Sequence, residues 1–132
     1  PLRDVYKRQI QKYKTLLENL YKSSEEIADD HSKLYQFFKI ILRYIKRHYG
    51  YFHAILVTYP NRDLFFEYMH ATRDTYIKIL DEYTNVLNKK QFVIYALGGQ
   101  MGLVYTWIKE GCNQSVKDLA QILLANTIKL NR

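Results

Sequence analysis

The stretch that decides the fold is "KKQFVIYALGGQMGLVYTWIKEG", residues 89–111. Between Lys90 and Lys109 it carries no charged residue, in a chain of which 25% of the residues are charged. It also places Gly98, Gly99 and Gly102 inside what its length and composition predict to be a helix. A helix that is apolar all round is normally covered on every side. The stretch is therefore a candidate membrane span, a candidate buried helix, or a candidate contact surface for another protein.

Its length and its glycines favour contact with a second protein. A membrane span needs about 20 apolar residues, whereas this run is shorter, includes Gln100, and belongs to a chain with a mean hydropathy of −0.35. A small domain encloses few helices entirely with its own chain. Each glycine costs about 1 kcal/mol relative to alanine inside a helix. Gly98 and Gly102 lie one turn apart on one face, which favours close approach of another helix. The alternative is a kink at Gly98 and Gly99.

Length and composition indicate one globular domain. The chain has 132 residues and a mass of 15.9 kDa, and 48% of its residues are apolar, which is typical of a folded domain. A single cysteine, Cys112, excludes an internal disulfide framework and indicates a reducing compartment, so we expect a cytoplasmic protein. The first residues, "PLRDVYKRQ", lack an initiator Met and resemble a translated linker. We expect residues 1–9 to be a non-native leader and residues 10–132 to be one helical domain.

Helical periodicity dominates the chain. From Ser32 to near Gly50, apolar side chains recur at steps of three and four residues, and basic side chains occupy the opposite face. The apolar set is Leu34, Phe37, Phe38, Ile41, Tyr44, Ile45 and His48, and the basic set is Lys39, Arg43, Lys46 and Arg47. An N-terminal helix with an inner face of Ile10, Tyr13, Leu17, Leu20 and Tyr21 is predicted to end near "KSSEE".

Proline and capping signals delimit the remaining helices. The apolar segment "YFHAILVTY" is broken by Pro60, Asn61 is predicted to cap the next helix, and Ser115 to cap the last one. The inner faces predicted for these two helices are Phe65, Tyr68, Met69, Thr72, Tyr76, Ile79, Leu80 and Tyr83, and Val116, Leu119, Ala120, Leu123 and Ile128. "TNVLNKK", residues 84–90, is predicted to be a turn. The alternation of apolar and polar residues that is typical of strands does not persist anywhere, so we predict an all-α bundle of five or six helices.

The C-terminal part of the sequence resembles the end of tetracycline-repressor-type (TetR family) transcriptional regulators. "GGQMGLVYTWIKEGCNQSVKDLAQILL", residues 98–124, carries the small-residue helix, the tryptophan, the glycine turn and the capped final helix of that family. The matching residues are Gly102, Leu103, Val104, Trp107, Ile108, Gly111, Ser115, Leu119, Ala120 and Leu123. "FFKIILRYIKRHYGYFHAILV" and "FFEYM" look like the preceding helices of the same regulatory domain, in the subgroup common in Gram-positive bacteria.

The resemblance implies a homodimer, a ligand pocket and a DNA-binding part that is missing from this chain. In such regulators the last two long helices pair across a two-fold axis into a four-helix bundle, and an N-terminal helix-turn-helix contacts DNA. Carried over by position, the dimer interface includes Val93, Leu97, Gly98, Met101, Gly102, Tyr105, Leu119, Ile122, Leu123 and Asn126. The pocket, for an unknown small apolar or amphipathic effector, is expected to include Phe38, Ile41, Phe52, Ile55, Phe65, Tyr68, Met69, Tyr76 and Trp107.

Other classes of function have weaker support. The net charge of +7 and the basic set at Lys39 to Arg47 are compatible with nucleic-acid binding, although such a stripe is usually the solvated back of an amphipathic helix. Glu67 and His70 have the spacing of metal ligands on one helix, but a carboxylate-bridged bundle needs a second such motif. We predict no catalytic residues, no metal, no cofactor and no membrane contact. A helical protein-interaction or coactivator module and a metal-binding bundle remain alternatives.

Overall fold

The computed structural model describes residues 2–80 and 88–130. Within these ranges the chain forms six α-helices and no strand, as the periodicity predicts. They are α1 Leu2–Ser24, α2 Asp30–Arg47, α3 Tyr49–His53, α4 Arg62–Leu80, α5 Lys89–Lys109 and α6 Val116–Leu130, with a π-helical turn, Ala54–Thr58, directly after α3. Tyr83 and residues 84–87 of the predicted turn lie outside the described residues. That residues 1–9 are a foreign leader stays a prediction.

Local sequence signals begin three of these helices. The Asp29 carboxylate accepts from the Ser32 N–H at 3.2 Å at the start of α2. The Asn61 side-chain oxygen accepts from the Leu64 N–H at 3.0 Å at the start of α4. At α6 the Ser115 hydroxyl oxygen accepts from the Asp118 N–H at 3.1 Å. Each cap satisfies one N–H that lacks a partner within its own helix, so the predicted caps at Asn61 and Ser115 are confirmed.

The region around Gly50 differs from the prediction of a helix end and a short apolar segment. Helix α2 ends at Arg47, and His48, with φ −108° and ψ 35°, forms a bend into α3. Gly50 lies inside α3. The segment that continues toward Pro60 is the π-helical turn Ala54–Thr58. Single π-helical turns often occur at functional sites, and this one brings Ile55 and Leu56 to the centre of the bundle.

The helices pack around one apolar core. Helix α1 lies mainly against α4, α2 lies mainly against α6, and α5 contacts α3, α4 and α6. The largest side chains that are fully enclosed include Tyr76, Phe37, Leu34 and Leu42. The side of α5 that carries its buried residues, which include Val93, Leu97 and Val104, therefore faces the interior.

A tight turn joins α5 to α6. Gly111, with φ 91°, and Cys112, with φ 55°, adopt left-handed backbone conformations there, and the Cys112 N–H donates to the Trp107 carbonyl at 2.8 Å. The Trp107 indole N–H donates to the Gln114 carbonyl at 2.9 Å. Trp107 therefore holds the turn through its main chain and its side chain, next to the residue that caps α6.

Candidate functional site

A small apolar cavity lies at the centre of the bundle, bounded by every helix and by the π-helical turn. Its volume is about 70 Å³. Its lining comprises Tyr13, Phe37, Phe38, Ile41, Leu42, Ile45, Phe52, Ile55, Leu56, Phe65, Tyr68, Met69, Thr72, Leu97, Gln100, Met101, Val104, Ile108 and Leu123. Ligand pockets are typically larger, about 300–1,000 Å³. At this volume the cavity cannot hold a drug-sized molecule unless side chains of its wall move.

Seven of the nine residues predicted for a pocket line this cavity. They are Phe38, Ile41, Phe52, Ile55, Phe65, Tyr68 and Met69. The other two, Tyr76 and Trp107, are not among the residues that line the cavity, and their place in an effector pocket stays a prediction. Tyr76 is fully enclosed in the core, and its hydroxyl accepts from Gln100 at 3.1 Å. Trp107 points to the α5–α6 turn, where its indole N–H is bound by the Gln114 carbonyl.

Cavity-lining residues that were not predicted from the sequence come from α1 and α5. Tyr13 contributes from α1, and Leu97, Gln100, Val104 and Ile108 contribute from α5. The α5 set follows steps of three and four residues, which is the signal of a helix face. That signal could not be singled out in the sequence because apolar residues occupy every face of α5.

One side of the cavity carries a chain of hydroxyl groups. The Thr72 hydroxyl donates to the Tyr68 carbonyl at 2.8 Å, so the 2.6 Å contact between Tyr13 and Thr72 uses the Tyr13 proton. The Tyr51 and Tyr68 hydroxyls share a hydrogen bond at 2.8 Å. Burial raises the pKa of Tyr13 and the pKa of Tyr68 well above that of an exposed phenol. These phenols are therefore neutral over the physiological pH range.

The opposite wall carries one amide, Gln100. Its Nε2 donates to the Tyr76 hydroxyl at 3.1 Å and to the Thr127 hydroxyl at 3.0 Å. Thr127 in turn donates to the Leu123 carbonyl at 2.7 Å, so Thr127 can only accept from Gln100. This arrangement fixes the orientation of the amide, because the Thr127 hydroxyl has no proton left to donate and must face the amide nitrogen. The capacity that remains at Gln100 is its carbonyl oxygen, which is an acceptor.

A further tyrosine, Tyr44, lies against this hydroxyl chain. Its ring is 5.6 Å from the ring of Tyr13, centroid to centroid, and its hydroxyl is buried without a hydrogen-bond partner among the described residues. An unpaired buried hydroxyl is destabilising. We predict that Tyr44→Phe stabilises the fold by about 1 kcal/mol, whereas Tyr13→Phe, which removes the bond to Thr72, costs about 1 kcal/mol. Urea unfolding at one protein concentration measures both, and a Tyr44→Phe variant less stable than Tyr13→Phe would contradict the assignment.

The other side of α5 is an exposed apolar face, which we call the α5 outer face. It comprises Ile94, Tyr95, Gly98, Gly99, Gly102, Leu103, Tyr105 and Thr106. Ile94 is 59% exposed and Tyr95 is 71% exposed. Apart from its chain neighbours and the backbone of its own helix, a Cβ atom built on Gly98, Gly99 or Gly102 would meet no atom of the described residues within 4 Å. Contacts within the chain thus do not account for these glycines.

The α5 outer face continues onto α6 through a groove. Its lining comprises Tyr95, Ala96, Gly99, Gln100, Leu103, Leu123, Asn126, Thr127 and Leu130. Gln100 and Leu123 line both this groove and the central cavity. A single layer of side chains therefore separates the interior from the exposed surface at this point.

The ten residues predicted for a dimer interface divide into two sets. Val93, Leu97, Leu119 and Leu123 are buried in the core of their own chain, although Leu123 also lines the groove. Their assignment to the interface stays a prediction. Gly98, Gly102, Tyr105, Ile122 and Asn126 are exposed, and Met101 is half-buried. The exposed set lies on the α5 outer face and on the adjoining side of α6.

The residues considered for a metal site or a catalytic nucleophile do not have the surroundings that these functions require. Among residues 2–80 and 88–130, no group of three or more His, Cys, Asp or Glu side chains is placed to hold a metal ion. Glu67 and His70 are both exposed on α4. Cys112 is buried, and burial raises the pKa of its thiol, which is the opposite of an activated nucleophile.

The basic set of α2 lies on its outer side. Arg43, Lys46 and Arg47 are exposed, whereas Lys39 is half-buried and places its Nζ 5.1 Å from the centroid of the Tyr35 ring. This is the solvent face that an amphipathic helix requires. No helix in the described part of the chain is long and apolar enough to cross a membrane.

The fold and the cavity define an all-α domain in which a small central cavity and an exposed apolar face share one helix. A family model described as "Transcriptional regulator C-terminal region", of the TetR type, matches residues 32–129. The chain therefore belongs to the TetR-family regulatory domains, which confirms the resemblance found in the sequence, and this is a family of transcriptional regulators rather than enzymes. No curated protein and no solved structure matches the chain.

Proposed function

We propose that this chain is the effector-binding and homodimerisation domain of a TetR-family regulator. In this proposal it acts on DNA through an N-terminal helix-turn-helix outside this chain, in the cytoplasm. The observation that carries the proposal is the double use of α5. One side of the helix forms the wall of the cavity, and the other side is apolar, exposed and rich in glycine. A molecule in the cavity that moves this helix would also move the exposed side of the helix, which a neighbouring subunit could contact.

The proposed dimer interface is the α5 outer face together with Ile122 and Asn126 of α6. A two-fold interface needs one patch that is complementary to itself. Gly98 and Gly102 lie near the middle of the exposed arc of α5, where two copies of the helix would approach most closely. The loss of helix propensity at the glycines, about 1 kcal/mol each, would be offset by the contacts that this approach allows.

The proposed effector site is the central cavity. Because its volume is about 70 Å³, a bound molecule has to displace side chains of the wall. Both methionines of the chain, Met69 and Met101, belong to that wall, and methionine side chains adapt readily to irregular spaces. Ligand binding would then favour the conformations in which the cavity is wider.

The proposed signal passes through the side chains shared by the cavity and the groove. Gln100 and Leu123 contact both spaces, so a molecule that moves them also changes the surface presented by α5 and α6. The effector would act by binding the two forms of this wall with different affinity, because a ligand without such a difference shifts no equilibrium.

The mass of the chain in solution tests the dimer directly. We expect light scattering at micromolar concentration to give twice the chain mass of 15.9 kDa. A mass equal to that of one chain would overturn the dimer, and a stable complex with a different protein in its place would favour the interaction-module alternative.

Filling the cavity from α5 tests whether the space is real and what it contributes. Val104 lines the cavity, whereas Val93 is fully buried on the same helix outside the cavity lining. We predict that Val104→Ile stabilises the fold by about 1 kcal/mol because its added methylene enters empty space. The matched change Val93→Ile overpacks the core and costs about 1–3 kcal/mol. Urea unfolding measures both changes, and equal effects at the two positions would argue against the cavity.

A further inference from the structure

Among residues 2–80 and 88–130, the wall of the central cavity has no group that could neutralise a charge. None of its nineteen lining residues is Asp, Glu, Lys, Arg or His, although the chain as a whole carries a net charge of +7. An ion buried there would lose its hydration without gaining a partner of opposite charge. Burial of an unpaired ion costs several kcal/mol in a real protein. The cavity therefore disfavours anions and cations alike.

The polar groups of the wall are neutral, and their protons have acceptors. The Tyr68 and Tyr51 hydroxyls share one hydrogen bond at 2.8 Å, and because the half-buried Tyr51 can donate to solvent, the buried Tyr68 donates to Tyr51. The Tyr13 hydroxyl donates to Thr72, and the Thr72 hydroxyl donates to the Tyr68 carbonyl. Both N–H groups of the Gln100 amide are donated, to Tyr76 and to Thr127. The spare capacity of these groups is thus that of acceptors, chiefly the Gln100 carbonyl oxygen. Only a donor on the bound molecule can make use of it.

We propose that the cavity selects uncharged, mainly apolar molecules that carry one hydrogen-bond donor, a hydroxyl or an amide-type N–H. This inference rests on the proposed effector-binding function and adds the chemical class of the effector. The molecule is small, of the size of one substituted aromatic ring. An apolar cavity of about 150 Å³ is enough for benzene, and displacement of Met69 and Met101 provides a route from about 70 Å³ to that size.

Four probes of nearly equal size test the class. They are benzyl alcohol, which is neutral and has a donor; toluene, which is neutral without a donor; benzoate; and benzylammonium. Dissociation constants are measured by calorimetry on the full chain at pH 7. We expect benzyl alcohol to bind about fivefold more tightly than toluene, from one neutral hydrogen bond. Benzoate and benzylammonium are expected to bind about a hundredfold more weakly than benzyl alcohol, or worse.

A pair of matched variants locates the hydrogen bond. Gln100→Met keeps the length of the side chain but removes its carbonyl, and we expect it to abolish the fivefold preference for benzyl alcohol over toluene. Gln91→Met makes the same change at an exposed position of the same helix, and the preference should persist. If Gln100→Met does not fold, the ranking of the four probes by the unaltered chain still decides the class.

Each other outcome has a definite meaning. Binding of benzoate or benzylammonium within tenfold of benzyl alcohol would overturn the neutral class while leaving effector binding intact. Binding of toluene as tight as that of benzyl alcohol would overturn the donor requirement. If none of the probes binds, both this inference and the proposed effector site fail. The dimer is judged separately by its mass.

Discussion

Replacing Gly102 with leucine is expected to convert the dimer into a folded monomer. Gly102 lies at the centre of the α5 outer face, and an added Cβ would meet no described atom within 4 Å beyond its chain neighbours and the backbone of its own helix. Within one chain the change should even favour α5, since leucine exceeds glycine in helix propensity by about 1 kcal/mol. In the proposed dimer the added side chain occurs twice, at the point of closest approach, because a two-fold interface uses each residue in both copies.

The expected loss of dimer stability is large. Overpacking costs about 1–3 kcal/mol at each site, so two sites weaken association by roughly a hundredfold or more. Light scattering across a dilution series should show a mass of 15.9 kDa with unchanged helical circular dichroism. Gly50→Leu is the matched control, because Gly50 also has no neighbour within 4 Å but lies on α3. An unchanged dimer in Gly102→Leu would refute close packing at this face.

Replacing Trp107 with alanine is expected to cause the largest loss of folding stability. Trp107 is 4% exposed, its indole N–H binds the Gln114 carbonyl, and its own carbonyl accepts from the Cys112 N–H. Truncation of a buried tryptophan costs about 3–5 kcal/mol, a large part of the roughly 5–15 kcal/mol that stabilises a domain. We expect a much lower urea midpoint and separation of α6 from α5 at the turn.

Trp107→Phe provides the control for size. It keeps most of the apolar side chain and loses the indole hydrogen bond, so we expect a smaller cost of about 1–3 kcal/mol. Because Trp107 lies outside the cavity lining, Trp107→Phe should leave the ranking of the four probes unchanged. If Trp107→Phe changed the order of the four probe affinities without changing the stability of the fold, Trp107 would line the pocket, as the resemblance implies.

The sequence predicts those elements of the fold that depend on local chemistry. The caps at Asn61 and Ser115 need only a side chain and an N–H three residues away, so they are visible in the sequence itself. The inner face of α2 is also visible, because its charged and apolar residues lie on opposite sides. The bend at His48 and the π-helical turn were not predicted, since they depend on packing between helices rather than on neighbouring residues.

For the site residues too, prediction succeeded where a helix has one apolar side and failed where it does not. Phe38, Ile41 and Met69 could be assigned to a pocket because they lie on the apolar sides of amphipathic helices. The orientation of α5 could not be read from its sequence, which is apolar on every side. The resemblance places Val93 and Leu97 in the dimer interface by position, whereas the structure buries both. For Leu119 and Leu123 the packing of α6 against α2 decided the side that is buried.

The exposed glycines of α5 also affect how the stability of this domain has to be measured. If a second copy covers the α5 outer face, part of the free energy of folding comes from association, and that part grows with protein concentration by mass action. The melting temperature then depends on the protein concentration as well as on the amino-acid sequence. Dilution alone should lower it, and the Gly102→Leu monomer should melt at the same temperature at every concentration.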